Sequence, residues 1–451
     1  MSAIATALIK KGYSVSGSDL IKNKEAIKLE KLGALIFDSQ LKNNIDFVNS
    51  KFKKKQIIVV VSSAIKSDNE ELSYCKQNNL SIKHRSEILS MIMESYTSLA
   101  IAGSHGKTST CTFLSTLLEL CTHNSSTITG GIIPIYKSNA YVEDTKFLVA
   151  EIDESDGTIN KYNSDIGIII NIDFDHCDHF SSIDDVLFSF KNFGSNSKKL
   201  LVNYDCEISR KNFSYTNNWS NKETKKIAYS LIPAVINKDC TIGKYYENGN
   251  FIDMINIPVP GLHNLSNITA SIAACRMLGV SLKEIKKNIK FLKLPKKRFE
   301  FRGEIDKRIL YDDYAHHPNE IKATIDLARL FLKDKNNKNH GKKSRLVVIF
   351  QPHRFSRVKQ FINEFAEELS KADVIYLTSV FGAGEKNINK INSELITSII
   401  YKKNKNVQYL KNNLEIKKNF YKLTEKNDFI VNMGAGDCHN LWSVLNDKKN
   451  I

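Results

Sequence analysis

The sequence predicts an α/β fold in which parallel β-strands alternate with α-helices. Apolar, β-branched runs such as Gln56–Val61 have the length and composition of buried strands, and helix-like segments separate them. These runs end in polar residues, which is where parallel sheets bind their ligands. A glycine-rich run, 103–109, stands between a strand-like and a helix-like segment. Together these patterns indicate sheets built from βαβ units.

The first hundred residues show this alternation element by element. In order, we predict helix Ser2–Lys11, strand Tyr13–Gly17, helix Lys24–Leu32, strands Ala34–Phe37 and Gln56–Val61, helix Asn69–Asn78 and strand Ser81–His84. The polar residues that follow these strands are candidate ligand contacts, namely Ser18, Asp19, Ser62, Ser63 and Arg85. A single parallel sheet is expected in this region.

Two further units follow, and we predict three domains, 1–97, 98–294 and 295–451. The second unit has predicted strands Leu99–Ala102, Phe147–Ile152 and Ile166–Ile172, a strand-rich stretch 200–260, and a helix Asn264–Leu278 closed by Gly279. The third has predicted strands Ile309–Tyr311, Arg345–Phe350, Val374–Leu377 and Phe429–Asn432, and a polar loop at Lys333–Lys343.

Composition limits the classes of protein to consider. The chain has 451 residues, 42% of them apolar, which is enough for two or three domains. No apolar run reaches the ~18 residues of a membrane-spanning helix, so we expect no membrane partner. The eight cysteines lack Cys-x-x-Cys pairs, which is typical of reduced thiols in a cytoplasmic protein. The net charge of +16 keeps a nucleic-acid-binding ATPase as an alternative, but the lysines are dispersed and we expect no nucleic-acid partner.

The run Gly103-Ser104-His105-Gly106-Lys107-Thr108-Ser109 carries the clearest chemistry. Its glycines allow the backbone to wrap around phosphate oxygens, and the following helix points its N-terminal N–H groups at the same anion. Lys107 can neutralise phosphates, and the Thr108 hydroxyl can bind Mg²⁺. A glycine-rich turn that merely caps a helix is the alternative. We interpret the run as a phosphate-binding loop of a nucleotide-dependent enzyme.

Two acidic segments follow strands. Glu151-Ile152-Asp153-Glu154-Ser155-Asp156 concentrates carboxylates that suit Mg²⁺, although an exposed acidic loop would look the same. In Asn171–His179, the pair His176 and His179 is compatible with a zinc site, but a third ligand at zinc-like spacing is not evident. We favour His176, beside Asp175, as a neighbour of Mg²⁺ or phosphate.

Three later motifs add polar and aromatic groups. Gly261–Asn267 opens a helix, and its asparagines suit either a helix cap or a nucleotide base. Asp312–Pro318 follows a strand and contains Tyr314, which can stack on a base. Phe350–Arg357 ends a strong strand, and its two arginines can bind phosphate or carboxylate.

Taken together, these motifs resemble those of the Mur ligase family. Their order along nearly the whole chain carries the resemblance: Gly103–Thr110, Ala150–Asp156, Asn171–His176, Gly261–Asn267, Lys297–Glu300, Asp312–Pro318, Phe350–Arg357, Gly382–Glu385 and Gly434–Asp437. The resemblance implies a Rossmann-like N-terminal domain that binds a UDP-sugar, a central P-loop ATPase-like domain and a Rossmann-like C-terminal domain. It also implies ATP-driven formation of an amide between UDP-N-acetylmuramate and L-alanine, by way of an acyl phosphate, in a monomer or homodimer.

The resemblance assigns roles to individual residues. Catalytic roles fall to Lys107, His176, His353, Arg354 and Arg357. Contacts to ATP fall to Gly103, Ser104, His105, Gly106, Lys107, Thr108, Ser109, Asn264, Asn267, Arg298, Asp312, Tyr314 and His316. Contacts to the UDP-sugar and amino acid fall to Ser18, Asp19, Ser62, Ser63, Arg85, Glu154 and Ser155. Mg²⁺ ligands are expected at Thr108, Glu151 and His176.

Family members carry a strand and a Gly-rich loop just before the equivalent of Met1, and that loop would cradle the UDP diphosphate. Here the sequence starts at the end of that loop, so we expect the first strand and the Gly-rich loop to be missing and UDP-sugar binding to be weakened. Two alternatives follow within the family: a ligase that adds a recycled tripeptide to the same sugar nucleotide, and a catalytically impaired remnant that binds nucleotide.

Overall fold

A computed structural model describes residues 1–21, 23–53, 56–177, 179–213, 217–338, 343–387 and 390–446, with the side chains of 337 and 338 left aside. Its residues form two compact units. The first comprises Met1–Asp173, Asp184–Trp219 and Ala270–Asn288, and the second Phe174–Ile183, Ser220–Thr269 and Ile289–Ile451. In the described ranges, no helix is both long and apolar enough to cross a membrane. All eight cysteines are free thiols.

The N-terminal part of the first unit alternates helices and short strands. Its elements are α1 Ser2–Lys10, β1 Ser16–Ser18, α2 Lys24–Lys31, β2 Leu35–Phe37, α3 Lys42–Lys51, β3 Ile58–Val61, α4 Glu70–Gln77, β4 Ser81–His84 and α5 Arg85–Met93. The parallel pairing is as predicted, but it forms two separate pairs, β1 with β2 and β3 with β4, instead of the single sheet we expected. The strands are only three or four residues long, so each pair holds few ladder hydrogen bonds.

The rest of the first unit is built on one larger sheet. Its strands and helices are β5 Thr97–Ala102, α6 Lys107–Leu120, β6 Ser125–Ile133, β7 Ser138–Tyr141, β8 Phe147–Glu151, β9 Ser164–Ile169, α7 Ile183–Ser195, β10 Ser197–Asn203, α8 Glu207–Asn212 and β11 Asn217–Ser220. The strand order is β11-β10-β9-β5-β8-β6-β7, and every pairing is parallel except that of β6 with β7. Residues 99–102 of β5 are fully buried. The glycine-rich run after this central strand therefore stands on a rigid support.

The second unit begins with an antiparallel meander. This consists of β12 Tyr229–Ile236, β13 Thr241–Glu247 and β14 Asn250–Ile257. Two helices follow. The residues of α9 Leu262–Met277 divide between the two units, and α10 Leu282–Asn288 belongs to the first unit. Gly279 (φ +88°) ends α9 as predicted, since a residue without Cβ adopts this conformation at little cost.

The second unit continues into a six-stranded sheet. Its elements are β15 Glu300–Ile305, β16 Arg308–Asp313, α11 Pro318–Lys338, β17 Leu346–Phe350, α12 Phe355–Gln360, α13 Ile362–Leu369, β18 Val374–Leu377, α14 Ser393–Lys403, β19 Val407–Tyr409, α15 Asn413–Leu423, β20 Phe429–Met433 and α16 Leu441–Asn446. The order is β15-β16-β20-β17-β18-β19, parallel except for the β15–β16 hairpin.

Both faces of this sheet are buried. Leu346, Val348 and Phe350 of β17 join one apolar cluster, and Val347 and Ile349 join the other. Because side chains alternate along a strand, this division places a helical layer on each face. The predicted loop at 333–343 is wrong in its first part, since α11 continues to Lys338, and residues 339–342 lie outside the described residues.

Candidate active site

The glycine-rich run forms the turn between β5 and α6. Gly103 (φ +152°) and Gly106 (φ +84°) adopt conformations that favour glycine. A Cβ on Gly103 would lie 3.1 Å from Cβ of Ile170, so the turn packs closely against the end of β9. Gly106 immediately precedes α6, whose first residue is Lys107. The turn thus aims the N–H groups of the first helical turn at the space above the sheet.

The segment after β9 holds the turn in place. The Asn171 side chain accepts a hydrogen bond from the His105 N–H (2.8 Å) and donates one to the His105 carbonyl (3.0 Å). The Ser104 hydroxyl donates to the Asp173 carbonyl (3.1 Å) and accepts from the Asp173 N–H (2.8 Å). The His105 ring lies 3.3 Å from the Asp173 carboxylate. These paired contacts fix the turn before any ligand binds.

Beside these residues lies a cavity of about 410 Å³. Its lining comes from the ends of β9 and β10 and the start of α8, namely Asn171, Ile172, Asp173, Asn203, Asp205, Cys206, Glu207 and Ile208. It therefore opens at the carboxyl edge of the sheet, next to the residues that hold the glycine-rich turn.

Lys107 is paired with a buried carboxylate. Its ammonium lies 2.8 and 2.7 Å from the two carboxylate oxygens of Glu154, which is only 2% exposed, and donates to the Gly103 carbonyl at 2.6 Å. Burial by itself lowers the pKa of Lys107, but the nearby carboxylates of Glu154 and Asp153 outweigh it and raise that pKa. Lys107 is therefore a fixed positive charge at the start of α6.

Glu151, at the end of β8, lies against the next residue of the turn. Its carboxylate accepts hydrogen bonds from the Thr108 hydroxyl (3.0 and 3.1 Å), from the Thr129 hydroxyl and from the Gly130 N–H (2.7 Å). Thr108 and Glu151, both predicted as Mg²⁺ ligands, are thus brought together. Sequence reasoning missed Thr129 and the neighbouring Gly130-Gly131 pair. Two adjacent glycines inside a strand are the signal by which this segment could have been found, since glycine in a strand often marks a close approach.

The other carboxylates of this segment bind Arg85 instead. The Arg85 guanidinium donates to Asp153 (2.6 Å) and Asp156 (3.1 Å), and the Ser63 hydroxyl donates to Asp156 (2.5 Å). Burial raises the pKa of Asp153, but Lys107 and Arg85 overcome that effect and lower it to about 2. Two predicted sugar-nucleotide contacts, Ser63 and Arg85, therefore meet at one acidic segment.

The remaining predicted sugar contacts have other surroundings. The Ser18 hydroxyl donates to Glu71 at 2.5 Å, and the Asp19 carboxylate accepts from the Ile21 N–H at 3.2 Å. Ser62 accepts through its carbonyl from Ile65. The Ser155 N–H donates to the Asp153 carboxylate at 3.0 Å.

In the second unit, Arg357 forms a buried bidentate pair with Asp175. Its Nε and Nη2 atoms donate to the two carboxylate oxygens at 2.9 and 3.0 Å, and both residues are less than 5% exposed. Burial opposes ionisation of Asp175, but the guanidinium holds its pKa well below the ordinary range. Arg357 also lies 3.2 Å from Nδ1 of His353, while burial and the two nearby arginines lower the pKa of His353 to about 4.

A group of rings surrounds Tyr314. The Arg298 guanidinium lies 5.3 Å from the Tyr314 ring centre, and the His439 ring is parallel to it at 5.8 Å. His316 packs edge-on at 5.4 Å, and burial lowers its pKa to about 3. His439 was not predicted from the sequence, although it lies just after the glycine motif 434–437. The arrangement offers flat apolar surfaces beside a cation, which suits a purine ring.

Other predicted nucleotide contacts are buried and bonded within the protein. Asp312 is 1% exposed and accepts from the Asn432 amide (2.9 Å), and burial raises its pKa to about 6. The Asn264 amide donates to the Pro260 carbonyl (2.8 Å), and Asn267 is 5% exposed. Arg354, which was predicted as a catalytic residue, is 28% exposed and lies 3.4 Å from Glu385.

Comparison with known proteins defines the class of this chain, which belongs to the Mur ligase family. Models of three of its domains match in order: the Mur ligase family catalytic domain over residues 1–97, the middle domain over 101–275 and the glutamate ligase domain over 297–436. The family resemblance and the α/β three-domain Mur ligase architecture expected from the motifs are thereby confirmed.

The individual relatives indicate which ligases of the family this chain is similar to. The chain is 74% identical to the UDP-N-acetylmuramate–L-alanine ligase of Prochlorococcus marinus subsp. pastoris over 100% of its own length and 95% of that protein. It is 40% identical to the ligase of the same name from a Synechococcus species, over 99% and 93%. Among solved structures, it resembles the UDP-N-acetylmuramate-alanine ligase of Thermotoga maritima with a TM-score of 0.81 (22% identity, 99% and 95% covered). The MurF ligase of T. maritima in complex with ADP matches with a TM-score of 0.63 (16% identity, 87% and 95% covered).

Proposed function

We propose that this chain is the ATP-dependent ligase that joins UDP-N-acetylmuramate and L-alanine in peptidoglycan synthesis, releasing ADP and phosphate. The observation that carries the proposal is the Thr108–Glu151 pair beside Lys107, at the turn after the central strand β5. The 74% identity to a ligase of that name supports the substrates. We propose that it acts in the cytoplasm as a monomer or homodimer, with domains 1–97, 98–294 and 295–451.

In the first half of the reaction, an oxygen of the muramoyl carboxylate attacks the γ-phosphorus of ATP, and ADP leaves. We propose that Lys107 and the N–H groups at the start of α6 stabilise the charge on the transferring phosphoryl group. Thr108 and Glu151 would hold Mg²⁺ by a hydroxyl and a carboxylate oxygen, the ligand types this ion takes when it shares phosphates. When bound, Mg²⁺ supplies positive charge that reduces repulsion between the two anionic substrates.

In the second half, the L-alanine amine attacks the acyl carbon, loses a proton, and phosphate leaves as the amide forms. We propose that His353, Arg354 and Arg357 act at the acyl phosphate and the amino acid. His176 is proposed as a ligand of a second Mg²⁺. The positive φ of His176 (+54°) and Arg354 (+67°) supports functional roles, since such backbone persists where its surroundings enforce it.

The two nucleotides would use separate sets of residues. For ATP, we propose Gly103–Ser109 at the phosphates and Asn264, Asn267, Arg298, Asp312, Tyr314 and His316 at the adenosine. For the UDP-sugar, we propose Ser18, Asp19, Ser62, Ser63, Arg85 and Ser155. The joint binding of Ser63 and Arg85 to Asp156 supports a shared site for these two.

The test measures ADP release with ATP, Mg²⁺, UDP-N-acetylmuramate and L-alanine, and omits each in turn. We expect release only with the full set. Release with the recycled tripeptide in place of L-alanine would favour the tripeptide ligase. ATP binding without substrate-dependent release would favour the impaired remnant, and stimulation by DNA or RNA would favour a nucleic-acid ATPase.

The variant Lys107→Ala tests the role of the phosphate-binding loop in this reaction. It removes the phosphate-binding cation, so we expect turnover to fall at least about a hundredfold, as for loss of one oxyanion donor. Circular dichroism checks that the variant is folded. Turnover retained in a folded variant would contradict the assignment of the phosphate-binding loop.

A further inference from the structure

Glu154 forms an ion pair with Lys107, the cation that would bind the nucleotide phosphates. An ammonium has three N–H donors. In this structure Lys107 donates to the Gly103 carbonyl (2.6 Å), to the Ser104 carbonyl (3.4 Å) and to one Glu154 oxygen (2.8 Å), and the second Glu154 oxygen lies 2.7 Å away as an ion-pair contact. Glu154 is 2% exposed, so its charge is shielded little by solvent. A phosphate that binds Lys107 must therefore compete with a buried carboxylate already in place.

Glu154 has little freedom to move away. Two residues on, Asp156 is held by Arg85, Ser63 and the Thr158 hydroxyl (2.6 Å). Three residues before, Glu151 is held by the Thr108 hydroxyl. The segment 151–156 is thus held on both sides of Glu154, which restrains its carboxylate beside Lys107.

We propose that Glu154 is a positioning residue for Lys107 and an internal competitor of the nucleotide phosphates, and not a substrate contact as its motif suggested. Its carboxylate holds the ammonium in one orientation, which favours phosphoryl transfer. The same charge weakens ATP and ADP binding, which favours release of product. This inference rests on the proposed function, because it takes residues 103–109 as the nucleotide-phosphate site.

The variant Glu154→Gln separates the two effects. The amide keeps the shape and one acceptor, but it removes the competing charge. A hydrogen bond to a charged partner is stronger than a neutral one by roughly 1–1.5 kcal/mol, so we expect Mg-ADP to bind about tenfold tighter. We expect the KM for ATP to fall with it and kcat to fall as well, because Lys107 is less firmly oriented. Isothermal titration with Mg-ADP gives the affinity.

Glu143→Gln is the matched control. It removes one carboxylate from the same unit, where Glu143 pairs with Lys10 at the surface (3.5 Å). It should leave ADP affinity and turnover unchanged, which shows that net charge alone is not responsible. Glu154→Asp keeps the charge but shortens the side chain, and its ADP affinity should lie between those of wild type and Glu154→Gln.

A merely structural role for Glu154 predicts the opposite sign, since a loosened loop binds nucleotide more weakly. Unchanged or weaker ADP binding by folded Glu154→Gln would overturn the inference. If that variant does not fold, Glu154→Asp decides in the same way, with tighter binding in support. If neither wild type nor variants bind Mg-ADP, the proposed function fails and this inference with it. If the wild type binds Mg-ADP but Glu154→Gln binds it no more tightly, the proposed function stands and this inference fails.

Discussion

At the scale of residues, several candidate site residues of each unit are charged groups that are already paired. Lys107 is paired with Glu154, Arg357 with Asp175, and Arg85 with Asp153. Because removing one partner from a buried pair leaves an uncompensated charge, such pairs are costly to break. They hold these side chains in single orientations.

The Asp175–Arg357 pair gives a direct test. We expect Asp175→Asn to lower the free energy of unfolding by about 3–5 kcal/mol, because Arg357 stays buried without its counter-charge. The double variant Asp175→Asn/Arg357→Met should regain much of that loss. Urea unfolding at pH 7 measures both, and a loss below about 1 kcal/mol for the single variant would contradict a structural role of the pair.

The pair also has a pH signature. The pKa of Asp175 is held far below that of the unfolded chain, so its contribution to stability is complete above about pH 4–5 and is lost as pH falls further. Asp175→Asn should therefore show a smaller loss of stability between pH 5 and about 3 than the wild type does. Equal acid sensitivity of the two proteins would argue against an ionised Asp175.

The sequence indicated which residues carry charge but not how they pair. Lys107 and Arg357 stood out because their motifs contain the residue types that bind phosphate. Their partners Glu154 and Asp175 lie 47 and 182 residues away along the chain. Pairings over such separations depend on the fold, and local patterns carry no record of them.

At the scale of elements, strand β6 completes the predicted metal site from a direction that the motifs did not indicate. Thr129 and Gly130 bind Glu151, and a Cβ on Gly131 would lie only 2.6 Å from Cγ2 of Thr108. The glycine therefore lets β6 approach the Thr108–Glu151 pair. The glycine turn itself was predictable, since its signal lies within one short run.

Gly131→Ala tests this close approach. The added methyl should displace Thr108 from Glu151, and we expect the Mg²⁺ concentration for half-maximal ADP release to rise about tenfold, or ~1.4 kcal/mol of binding free energy. Gly279→Ala is the control. A Cβ on Gly279 (φ +88°) would meet no atom of the described residues within 4 Å, so the change should cost only about 1 kcal/mol of stability. An unchanged Mg²⁺ titration for folded Gly131→Ala would remove β6 from the site.

Element types were predicted better than their pairing and ends. Strands such as Ser81–His84 and Val374–Leu377 agree with the structure residue for residue. The expected single N-terminal sheet was wrong because sequence patterns identify strands but not which strands pair. The end of α11 was missed because the lysines and asparagines after Lys333 suit an exposed helix as well as a loop.

At the scale of the whole molecule, burial keeps four histidines neutral among the described residues of the second unit. Burial lowers the pKa of His263, His353 and His439 to about 4 and that of His316 to about 3. The unfolded chain protonates such groups near pH 6.5. Between these values the unfolded state binds more protons, so each histidine makes the unit less stable as pH falls. Asp312 acts in the opposite direction, since burial raises its pKa to about 6.

His316→Gln removes one of these titrating groups, so its contribution to the pH dependence of stability can be measured. A single histidine that protonates only on unfolding contributes up to about 1.4 kcal/mol per pH unit to the slope of stability against pH. The wild type should therefore lose more free energy of unfolding than His316→Gln between pH 6.5 and 4.5, and the two curves should run parallel above pH 7. Urea unfolding across this range measures the slopes. Parallel curves throughout would mean that His316 is protonated in the folded protein as readily as in the unfolded chain, and its pairing with Glu320 at 3.2 Å would then outweigh burial.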